Sequence, residues 1–216
     1  MLRVGVSGAT GRMGRLVCAE IEAADDLRLS WAIGRRGLVD EADVIIDFST
    51  PEGFAQVLAG ARCPVVSGTT GMAVPTDPPV ALVHAANFSL GVAVLARLVA
   101  DAHAALPTYD VEVVELHHNQ KRDAPSGTAL RLVEGLGSVR NGHDGLRARG
   151  EVAIHSVRGG DIVGEHTVYL CGPGERLQLG HVATHRGLFA SGAVTAARWI
   201  VGKPRGLYTI EDVLYR

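Results

Sequence analysis

Residues 1–89 alternate between strand-like and helix-like runs, with a polar or glycine-rich loop after each strand. The apolar core of Asp43–Ser49 is continuous, as expected of a strand that is covered on both faces. The alternation predicts a doubly wound parallel sheet (Rossmann-like), whose ligands bind outside the carboxyl ends of the strands. The predicted strands are Arg3–Ser7, Leu27–Ile33, Asp43–Ser49, Pro64–Ser67 and Val80–Ala85, and the predicted helices are Arg15–Ala23 and Pro51–Ala61.

The alternation of strands and helices changes after Gly91. Further along the chain, three strand-like runs follow one another without helices between them. Two of these runs partly alternate apolar and polar residues, which predicts a mostly open mixed sheet with one covered face. We therefore predict an α/β protein with a dinucleotide-binding domain over 1–89, completed by 203–216, and a smaller α+β substrate-binding and oligomerisation domain over 90–202. The predicted elements of the second domain are helices Val92–Leu106, Ser126–Leu136 and Phe189–Val201, strands Val111–Leu116, Val152–Arg158, Gly164–Cys171 and Arg176–Ala183, and a loop over Gly135–Arg149.

Composition excludes several functional classes. The 216 residues carry a formal net charge of −2, so no basic excess indicates nucleic-acid binding. The apolar stretches fall short of the roughly 18 residues that a membrane span needs, and the N-terminus runs directly into a strand instead of a signal peptide. Three widely spaced cysteines fit small buried thiols in a reducing compartment. We expect a cytoplasmic protein.

A glycine-rich loop lies between the first predicted strand and the first predicted helix. In Gly8-Ala9-Thr10-Gly11-Arg12-Met13-Gly14, the first glycine permits the turn, the second lets the backbone approach a pyrophosphate, and the third lets the helix pack close to the sheet. The spacing departs from G-x-G-x-x-G, and a plain strand–helix turn is the alternative. Its position favours a nucleotide.

The end of the second strand bears on the choice of nucleotide. Sites for NAD usually place Asp or Glu there, whereas this chain has Gly34 followed by Arg35 and Arg36. Two guanidinium groups without a carboxylate can bind a 2′-phosphate, although a solvated arginine pair is the alternative. We expect NADPH to be used at least as well as NADH.

The segment from Glu115 to Thr128 concentrates acid–base chemistry between a strand and a helix. His117, His118 and Lys121 can donate protons near neutral pH, and the helix start near Ser126 offers backbone donors to an anion. This combination suits a small carboxylate that must receive a hydride and a proton. Ordinary loop polarity is one alternative. A metal site that combines both histidines with Glu115 or Asp123 is another, but adjacent histidines on a strand point to opposite faces.

With these motifs together, the chain resembles the dihydrodipicolinate (4-hydroxy-tetrahydrodipicolinate) reductase family over nearly its whole length. The long His-His-Lys motif is the most specific part of this resemblance. The matching motifs are G-A-T-G-R-M-G (Gly8–Gly14), D-F-S-T-P (Asp47–Pro51), G-T-T-G (Gly68–Gly71), A-N-F-S-x-G-V (Ala86–Val92), E-L-H-H-x-x-K-x-D-A-P-S-G-T-A (Glu115–Ala129), R-G-G-x-x-x-G-E-H (Arg158–His166) and H-x-A-x-x-R (His181–Arg186).

The resemblance implies a role for each matching position. His117 matches the family's proton donor or acceptor and Lys121 its proton-donating lysine, while His118 matches a substrate-binding histidine. The turn that holds a substrate carboxylate matches Ser126, Gly127 and Thr128. The nicotinamide-cofactor segments match Gly8, Ala9, Thr10, Gly11, Arg12, Met13, Gly68, Thr69, Thr70, Ala86, Asn87, Phe88 and Ser89. The resemblance also implies a homotetramer, use of both NADH and NADPH, no resident metal, and a place in diaminopimelate and lysine biosynthesis.

Two departures and two rival functions accompany this interpretation. Gly34 replaces the acidic ribose-binding residue of many members, and the short stretch from Gly34 to Ile46 predicts that a helix common in the family is missing.

An aspartate-type dehydrogenase on the same scaffold would share the glycine loop, but this function would leave the D-A-P-S-G-T turn unexplained. A dinucleotide-sensing protein without activity leaves the His-His-Lys set unexplained.

The remaining charged positions are expected to be structural. Asp47 is expected to cap the turn that follows its strand. Sheet or subunit-interface roles are favoured over catalysis for Arg158, Glu165, His166, His181, His185 and Arg186.

Overall fold

The structure is a computed structural model that describes residues 1–34 and 41–216, so Arg35 and Arg36 lie outside the described residues. The strands are β1 (Leu2–Ser7), β2 (Leu27–Ile33), β3 (Val44–Asp47), β4 (Val65–Ser67), β5 (Ala81–His84), β6 (Asp110–His117), β7 (Ser138–Asn141), β8 (Glu151–Arg158), β9 (Gly164–Gly172), β10 (Glu175–Ala183) and β11 (Gly206–Tyr208). The helices are α1 (Arg12–Glu22), α2 (Pro51–Gly60), α3 (Leu90–Ala105), α4 (Gly127–Leu132), α5 (Gly187–Ile200) and α6 (Ile210–Tyr215). Among these described helices, none has the length and apolar character that a membrane crossing requires.

A parallel sheet forms the core of the first compact unit. Its strand order is β11-β5-β4-β3-β1-β2, and each neighbouring pair is parallel. Helices α1 and α5 pack against each other, and α5 also contacts β3, β4 and β5. The inner strands are apolar on both faces, which explains the continuous apolar runs in the sequence. Their fully buried residues include Val4, Val6, Val44, Ile46, Val65 and Val66.

The carboxyl ends of β3 and β4 are joined by a buried carboxylate. Asp47 is fully buried and accepts hydrogen bonds from the hydroxyls of Ser49 (2.5 Å), Ser67 (2.9 Å) and Thr69 (2.7 Å). The Thr69 hydroxyl in turn accepts the backbone N–H of Ser49 at 3.0 Å. Asp47, which was expected to cap the turn after its strand, holds that turn through the Ser49 hydroxyl and also fixes the loop that follows β4.

A mixed sheet forms the core of the second compact unit. Its order is β10-β9-β6-β8-β7, with β6 antiparallel to β9 and parallel to β8. Strands β10 and β7 extend it as an antiparallel and a parallel neighbour, respectively. One face packs on α3 and α4 through an apolar cluster, so the sheet is covered on one face as predicted. The cluster includes Leu95, Val99, Val111, Val113, Leu132, Val152, Ile154, Val168 and Leu170.

The compact units divide the chain differently from the predicted domains. Unit 1 comprises residues 1–90 and 187–216, and unit 2 comprises residues 91–186. The difference is α5, which the sequence placed with the second domain but which packs on the first sheet. Gly192 explains this close packing, because a Cβ atom there would stand 1.8 Å from the backbone oxygen of Phe88. The tail returns to unit 1, where β11 pairs with β5.

Two elements differ from their sequence expectations. The segment expected to be a loop over 135–149 contains β7, which pairs with β8 from Ser138↔Glu151 to Asn141↔Ile154. Helix α4 begins as predicted, because the Ser126 hydroxyl accepts the Ala129 N–H at 3.1 Å, but it ends at Leu132 instead of Leu136.

Candidate active site

The alternation of strand β6 builds the candidate site. Its side chains alternate between buried and half-buried positions from Val111 to His117. Val111 and Val113 point into the apolar cluster, so Glu115 and His117 continue the same stripe at the carboxyl end of the strand. Both are buried, at 0 % and 8 % exposure. The covered face of the sheet thus changes from apolar packing to acid–base chemistry within one strand.

Glu115 is the centre of a buried hydrogen-bond network. Arg158 donates to both carboxylate oxygens, from Nη1 at 2.9 Å and from Nη2 at 2.7 Å. The backbone N–H of Ser126 donates to Oε1 at 3.2 Å, and His117 contacts Oε2 through Nδ1. Burial acts to raise the pKa of Glu115, but the hydrogen bonds from Arg158 and His117 outweigh it and lower the pKa to about 2. The carboxylate is therefore ionised at neutral pH.

The environment of His117 favours a neutral ring with a defined tautomer. Burial lowers the pKa of His117, with Lys121 and Arg158 acting in the same direction and Glu115 against them. Because an ionised carboxylate only accepts hydrogen bonds, the Nδ1 atom of His117 carries the proton. The Nε2 atom points toward Gly164, where an added Cβ would stand 3.1 Å away. The His117 ring therefore has an unprotonated Nε2, and Gly164 leaves space beside that atom because it has no side chain.

The loop after β6 carries the remaining motif side chains. Lys121 pairs with Asp123 at 2.8 Å and keeps 21 % of its side chain exposed. His118 is half-buried, and its backbone oxygen accepts the Lys121 N–H at 3.1 Å. Arg158 also donates to the backbone oxygen of Asp123 at 2.7 Å. The loop with the ammonium group is therefore tied to the same guanidinium that holds Glu115.

The Ser126 turn lies on the other side of Glu115. Ser126 is buried, and its hydroxyl lies 3.2 Å from Nε2 of His166. His166 is 3 % exposed and stacks edge-on against His117, with ring centroids 5.1 Å apart. Burial, with the nearby His117, lowers the pKa of His166 to about 4. Gly127 is exposed and Thr128 half-buried, so their part of the turn faces outward.

The same side chains include a geometry that could hold a metal ion. Ligand atoms of Glu115, His117 and His166 all lie within 4.8 Å of one another, so the second histidine of such a site is His166 and not His118. However, Arg158 occupies both oxygens of Glu115 and would face the ion. This cation argues for a hydrogen-bond network over a metal centre.

The glycine loop of unit 1 fits a dinucleotide. Gly8 has φ +77°, and a Cβ there would stand 2.3 Å from the backbone oxygen of Phe48. A Cβ on Gly14 would stand 2.2 Å from the Gly8 oxygen, so α1 packs directly on the loop. Helix α1 begins after Gly11 without a side-chain cap or an acidic residue in its first turn. Its first-turn N–H groups therefore suit a pyrophosphate.

The other predicted cofactor segments follow β4 and β5 at the same edge of the parallel sheet. Thr69 is buried and held by Asp47, while Thr70 is exposed. Gly68 lies against the ring of Phe48, where a Cβ would stand 2.2 Å away. After β5, Ala86 is exposed and Asn87 half-buried, whereas Phe88 and Ser89 are buried. Ala9 and Thr10 of the glycine loop and Arg12 and Met13 at the start of α1 complete this edge; Thr10 and Arg12 are exposed, and Ala9 and Met13 are half-buried.

The structure brings together most of the predicted site residues within each unit. His117, Lys121 and the Ser126 turn share one network in unit 2, and the glycine loop shares an edge with residues 68–70 and 86–89 in unit 1. Sequence reasoning named Glu115 only as a possible metal ligand and did not place Arg158 or His166 in the site. Arg158 and His166, for which sheet or interface roles were expected, both face His117 or Glu115 from β8 and β9, and their roles stay predictions. Only the period-two pattern of β6 signalled Glu115.

A parallel sheet with a glycine-rich strand–loop–helix turn in one unit, and buried acid–base side chains in the other, together define a nucleotide-dependent oxidoreductase. The particular family follows from comparison with known proteins. The profiles described as "Dihydrodipicolinate reductase, N-terminus" and "Dihydrodipicolinate reductase, C-terminus" match residues 2–41 and 35–93, and residues 91–214, respectively. The chain belongs to the dihydrodipicolinate reductase family.

Individual relatives agree with this assignment. A 4-hydroxy-tetrahydrodipicolinate reductase from Campylobacter lari is 39% identical over 240 residues, which cover 99% of each chain. Its counterpart from Anaeromyxobacter sp. is 41% identical over 262 residues, covering 99% of this chain and 98% of its own. The solved structure of dipicolinate-bound dihydrodipicolinate reductase from Paenisporosarcina sp. TG-14 has a TM-score of 0.76 at 22% identity and covers 97% of each chain.

More distant structures share the fold alone. The diaminopimelate dehydrogenase of C. glutamicum superposes with a TM-score of 0.52 at 14% identity, covering 97% of this chain and 92% of its own.

The profile of the N-terminal domain matches the chain in two pieces, which overlap over residues 35–41. This is the segment that the sequence suggested to be short relative to the family.

Proposed function

We propose that this chain reduces 4-hydroxy-tetrahydrodipicolinate to tetrahydrodipicolinate with a pyridine nucleotide, a step of diaminopimelate and lysine biosynthesis. The observation that carries the proposal is the buried network in which Glu115 and His117 of the family's longest motif meet Arg158 of another family motif. The curated relatives that match the full chain have this activity in their names. Unit 1 then serves as the dinucleotide-binding domain, and unit 2 as the substrate-binding and oligomerisation domain.

The cofactor is a nicotinamide dinucleotide, which supplies the hydride. Its pyrophosphate would lie on the backbone of Gly8–Met13 at the start of α1, with residues 68–70 and 86–89 around the nicotinamide half. We propose that NADPH serves at least as well as NADH, because Gly34 brings no carboxylate to the end of β2. Arg35 is the proposed partner of a 2′-phosphate, and it lies outside the described residues.

The substrate class follows from the charge of the site. The Paenisporosarcina structure carries dipicolinate, a planar dicarboxylate. We propose that the backbone of Gly127 and Thr128, supported by the Ser126 hydroxyl, holds one carboxylate of such a ligand. His118 or Lys121 meets the other. Locally cationic side chains in a chain of net charge −2 would attract the dianion.

The protons that the reaction takes up and releases indicate separate roles for Lys121 and His117. Loss of the 4-hydroxyl as water consumes one proton, and hydride addition to the conjugated imine requires a proton at the carbon beside the imine carbon. The neutral Nε2 of His117 can take the proton from that carbon during elimination and return it after reduction. Lys121, as an ammonium, can protonate the departing hydroxyl. The net uptake is one hydride and one proton, and one water molecule leaves.

We also propose that the chain forms a homotetramer through the uncovered face of the second sheet. Exposed apolar side chains on that face include Val157 of β8 and Val182 of β10, which are 43% and 60% exposed. A sheet buries its apolar face against another element, and unit 2 offers α3 and α4 for only one face.

The decisive experiment follows nucleotide oxidation with freshly prepared aldolase product, first with NADPH and then with NADH. Lys121→Ala should lower kcat by about 10²–10⁴ with little change in the Kd of NADPH, because a proton donor is lost and the nucleotide site is untouched. The matched control is Lys203→Ala, which removes the chain's other lysine from the ring of Trp199 and should leave kcat unchanged.

Four outcomes would contradict parts of the proposal. Wild-type kcat in Lys121→Ala would refute the proton assignment. A KM for NADH far below that for NADPH would refute the nucleotide preference. Turnover of an amino acid in place of the imine dicarboxylate would favour the rival dehydrogenase, and nucleotide binding without any turnover would favour a sensor.

A further inference from the structure

We infer that Glu115 is a positioning residue for the reaction: it fixes His117 with Nε2 toward the substrate and ties the Ser126 turn to that ring. The inference rests on the proposed function for its consequences in catalysis. Its structural content, the state of the His117 ring, can be measured without any substrate.

The first argument is the burial of the carboxylate. Glu115 is fully buried, yet a buried ionised carboxylate is costly unless it is paired and hydrogen-bonded. Arg158 satisfies both of its oxygens and extends from the neighbouring position on β8, since His117 and Arg158 are register partners. A purely apolar residue would continue the packing of Val111 and Val113, so packing alone gives no reason for an acid at this position.

The second argument is the range of groups that the carboxylate connects. Glu115 binds Nδ1 of His117 and the backbone N–H of Ser126. Through Arg158 it is linked to the backbone of Asp123, the ion-pair partner of Lys121. The proposed base, acid and carboxylate-binding turn therefore share one buried anchor. A displacement of about 1 Å among such groups can lower a rate 100-fold.

The third argument concerns the tautomer. In Glu115→Gln, the backbone N–H of Ser126 and Nη2 of Arg158 can only donate, so they hold the amide oxygen at the Oε1 position, and the amide N–H₂ takes the Oε2 position beside Nδ1 of His117. Nδ1 would then have to accept, and the proton would move to Nε2, where the ring could no longer take a proton from the substrate. The replacement preserves the shape of the side chain and removes one hydrogen bond, that from Nη1 of Arg158, so its effect separates positioning from packing.

The charged and titratable groups that face His117 fix the direction of a pH effect. They are Glu115 on its own strand, Arg158 on β8, His166 on β9 and Lys121 in the following loop. Among these, Glu115 raises the pKa of His117, while burial, Lys121 and Arg158 lower it. Removal of the carboxylate charge should therefore move the acidic limb of the kcat/KM profile to lower pH.

The test begins with nitrogen NMR of the imidazole rings in the wild-type protein. We expect His117, identified by its loss in His117→Gln, to be the Nδ1–H tautomer at neutral pH and to switch in Glu115→Gln. The kcat of Glu115→Gln should fall by about 10²–10⁴. The double variant Glu115→Gln/His117→Gln should lie within about threefold of His117→Gln, because Glu115 acts through that ring.

Glu112→Gln is the matched control, on the same strand but on the opposite face, where it binds His143 and His155 at 2.8 Å each. Its kcat should equal that of the wild type. The inference fails if wild-type His117 is the Nε2–H tautomer, if Glu115→Gln keeps the wild-type kcat and pH profile, or if the two losses multiply in the double variant. If the wild-type protein lacks imine reductase activity, the proposed function fails, but the NMR result still tests whether Glu115 sets the tautomer of His117. If Glu115→Gln does not fold, the tautomer of His117 in the wild-type protein decides by itself whether the inference stands.

Discussion

At the residue scale, the site depends on histidines that the fold keeps neutral. His166 is nearly inaccessible, and burial together with His117 lowers its pKa to about 4. The unfolded chain would bind the same proton near pH 6.5. Between these values the unfolded state binds more protons than the folded state, so stability must fall as the pH falls.

The corresponding prediction concerns the free energy of unfolding between pH 7.5 and 4. The contribution of His166 is fully present above pH 6.5 and is lost progressively toward pH 4, at a cost of up to about 3 kcal/mol. Denaturant unfolding of His166→Gln should therefore show a flatter pH dependence than the wild type. His185→Gln, which changes an exposed histidine, should keep the wild-type slope. Parallel curves for His166→Gln and the wild type would show that His166 does not carry this dependence.

Sequence reasoning found part of this site and missed the rest for a physical reason. His117, His118, Lys121 and Ser126 lie within ten residues of one another, so local spacing was enough to suggest a shared role. Arg158 lies 43 residues from Glu115 and meets it only through the register of β6 and β8. No pattern in a single sequence states that register.

At the element scale, loops at the carboxyl ends of strands are held by buried polar side chains. Asp47 accepts three hydroxyl hydrogen bonds and so fixes the loops after β3 and β4, which include the predicted cofactor residues 68–70. Loss of this acceptor would leave buried donors without a partner, each at a cost of about 1–3 kcal/mol.

Asp47→Ala should therefore lower the free energy of unfolding by about 3 kcal/mol and weaken NADPH binding. Denaturant titration and calorimetry of the nucleotide measure the two effects. Asp25→Ala, at an exposed aspartate of the same unit, should change stability by no more than about 0.5 kcal/mol. An unchanged Kd in a destabilised Asp47→Ala protein would separate the loop anchor from the nucleotide site.

Prediction of the elements succeeded where local chemistry decides the structure. Strands such as Leu27–Ile33 and helix starts such as that near Ser126 were found from apolar runs and the polar residues that flank them. Strand β7 was missed because its sequence, Ser-Val-Arg-Asn, is short, polar and mostly exposed. Helix α5 was assigned to the wrong compact unit, because its partner sheet is decided by a close contact between Gly192 and Phe88 that a sequence does not reveal.

At the scale of the whole molecule, the uncovered face of the second sheet is the feature that a single chain leaves unexplained. On that face, the strand register places Val157 of β8 beside Leu116 of β6, and Leu116 beside Glu165 of β9. Glu165 in turn lies beside Val182 of β10. Isolated exposed apolar residues are ordinary, but apolar side chains on three of four neighbouring strands, with Glu165 between two of them, are typical of an interface. This is the physical support for the proposed homotetramer.

The double substitution Val157→Glu/Val182→Glu should dissociate the assembly, because like charges would be buried against each other and beside Glu165 across the interface. Sedimentation velocity should show a tetramer for the wild type and a smaller species for the variant, with unchanged far-UV circular dichroism. Leu146→Glu is the control, since Leu146 is 97% exposed on a loop and should leave the sedimentation unchanged. A wild-type monomer would refute the tetramer, and an intact tetramer in the double variant would place the interface on another surface. Because Glu115 and His117 lie on the covered face of the same sheet, a fully active dissociated variant would further show that the acid–base site is complete within one chain.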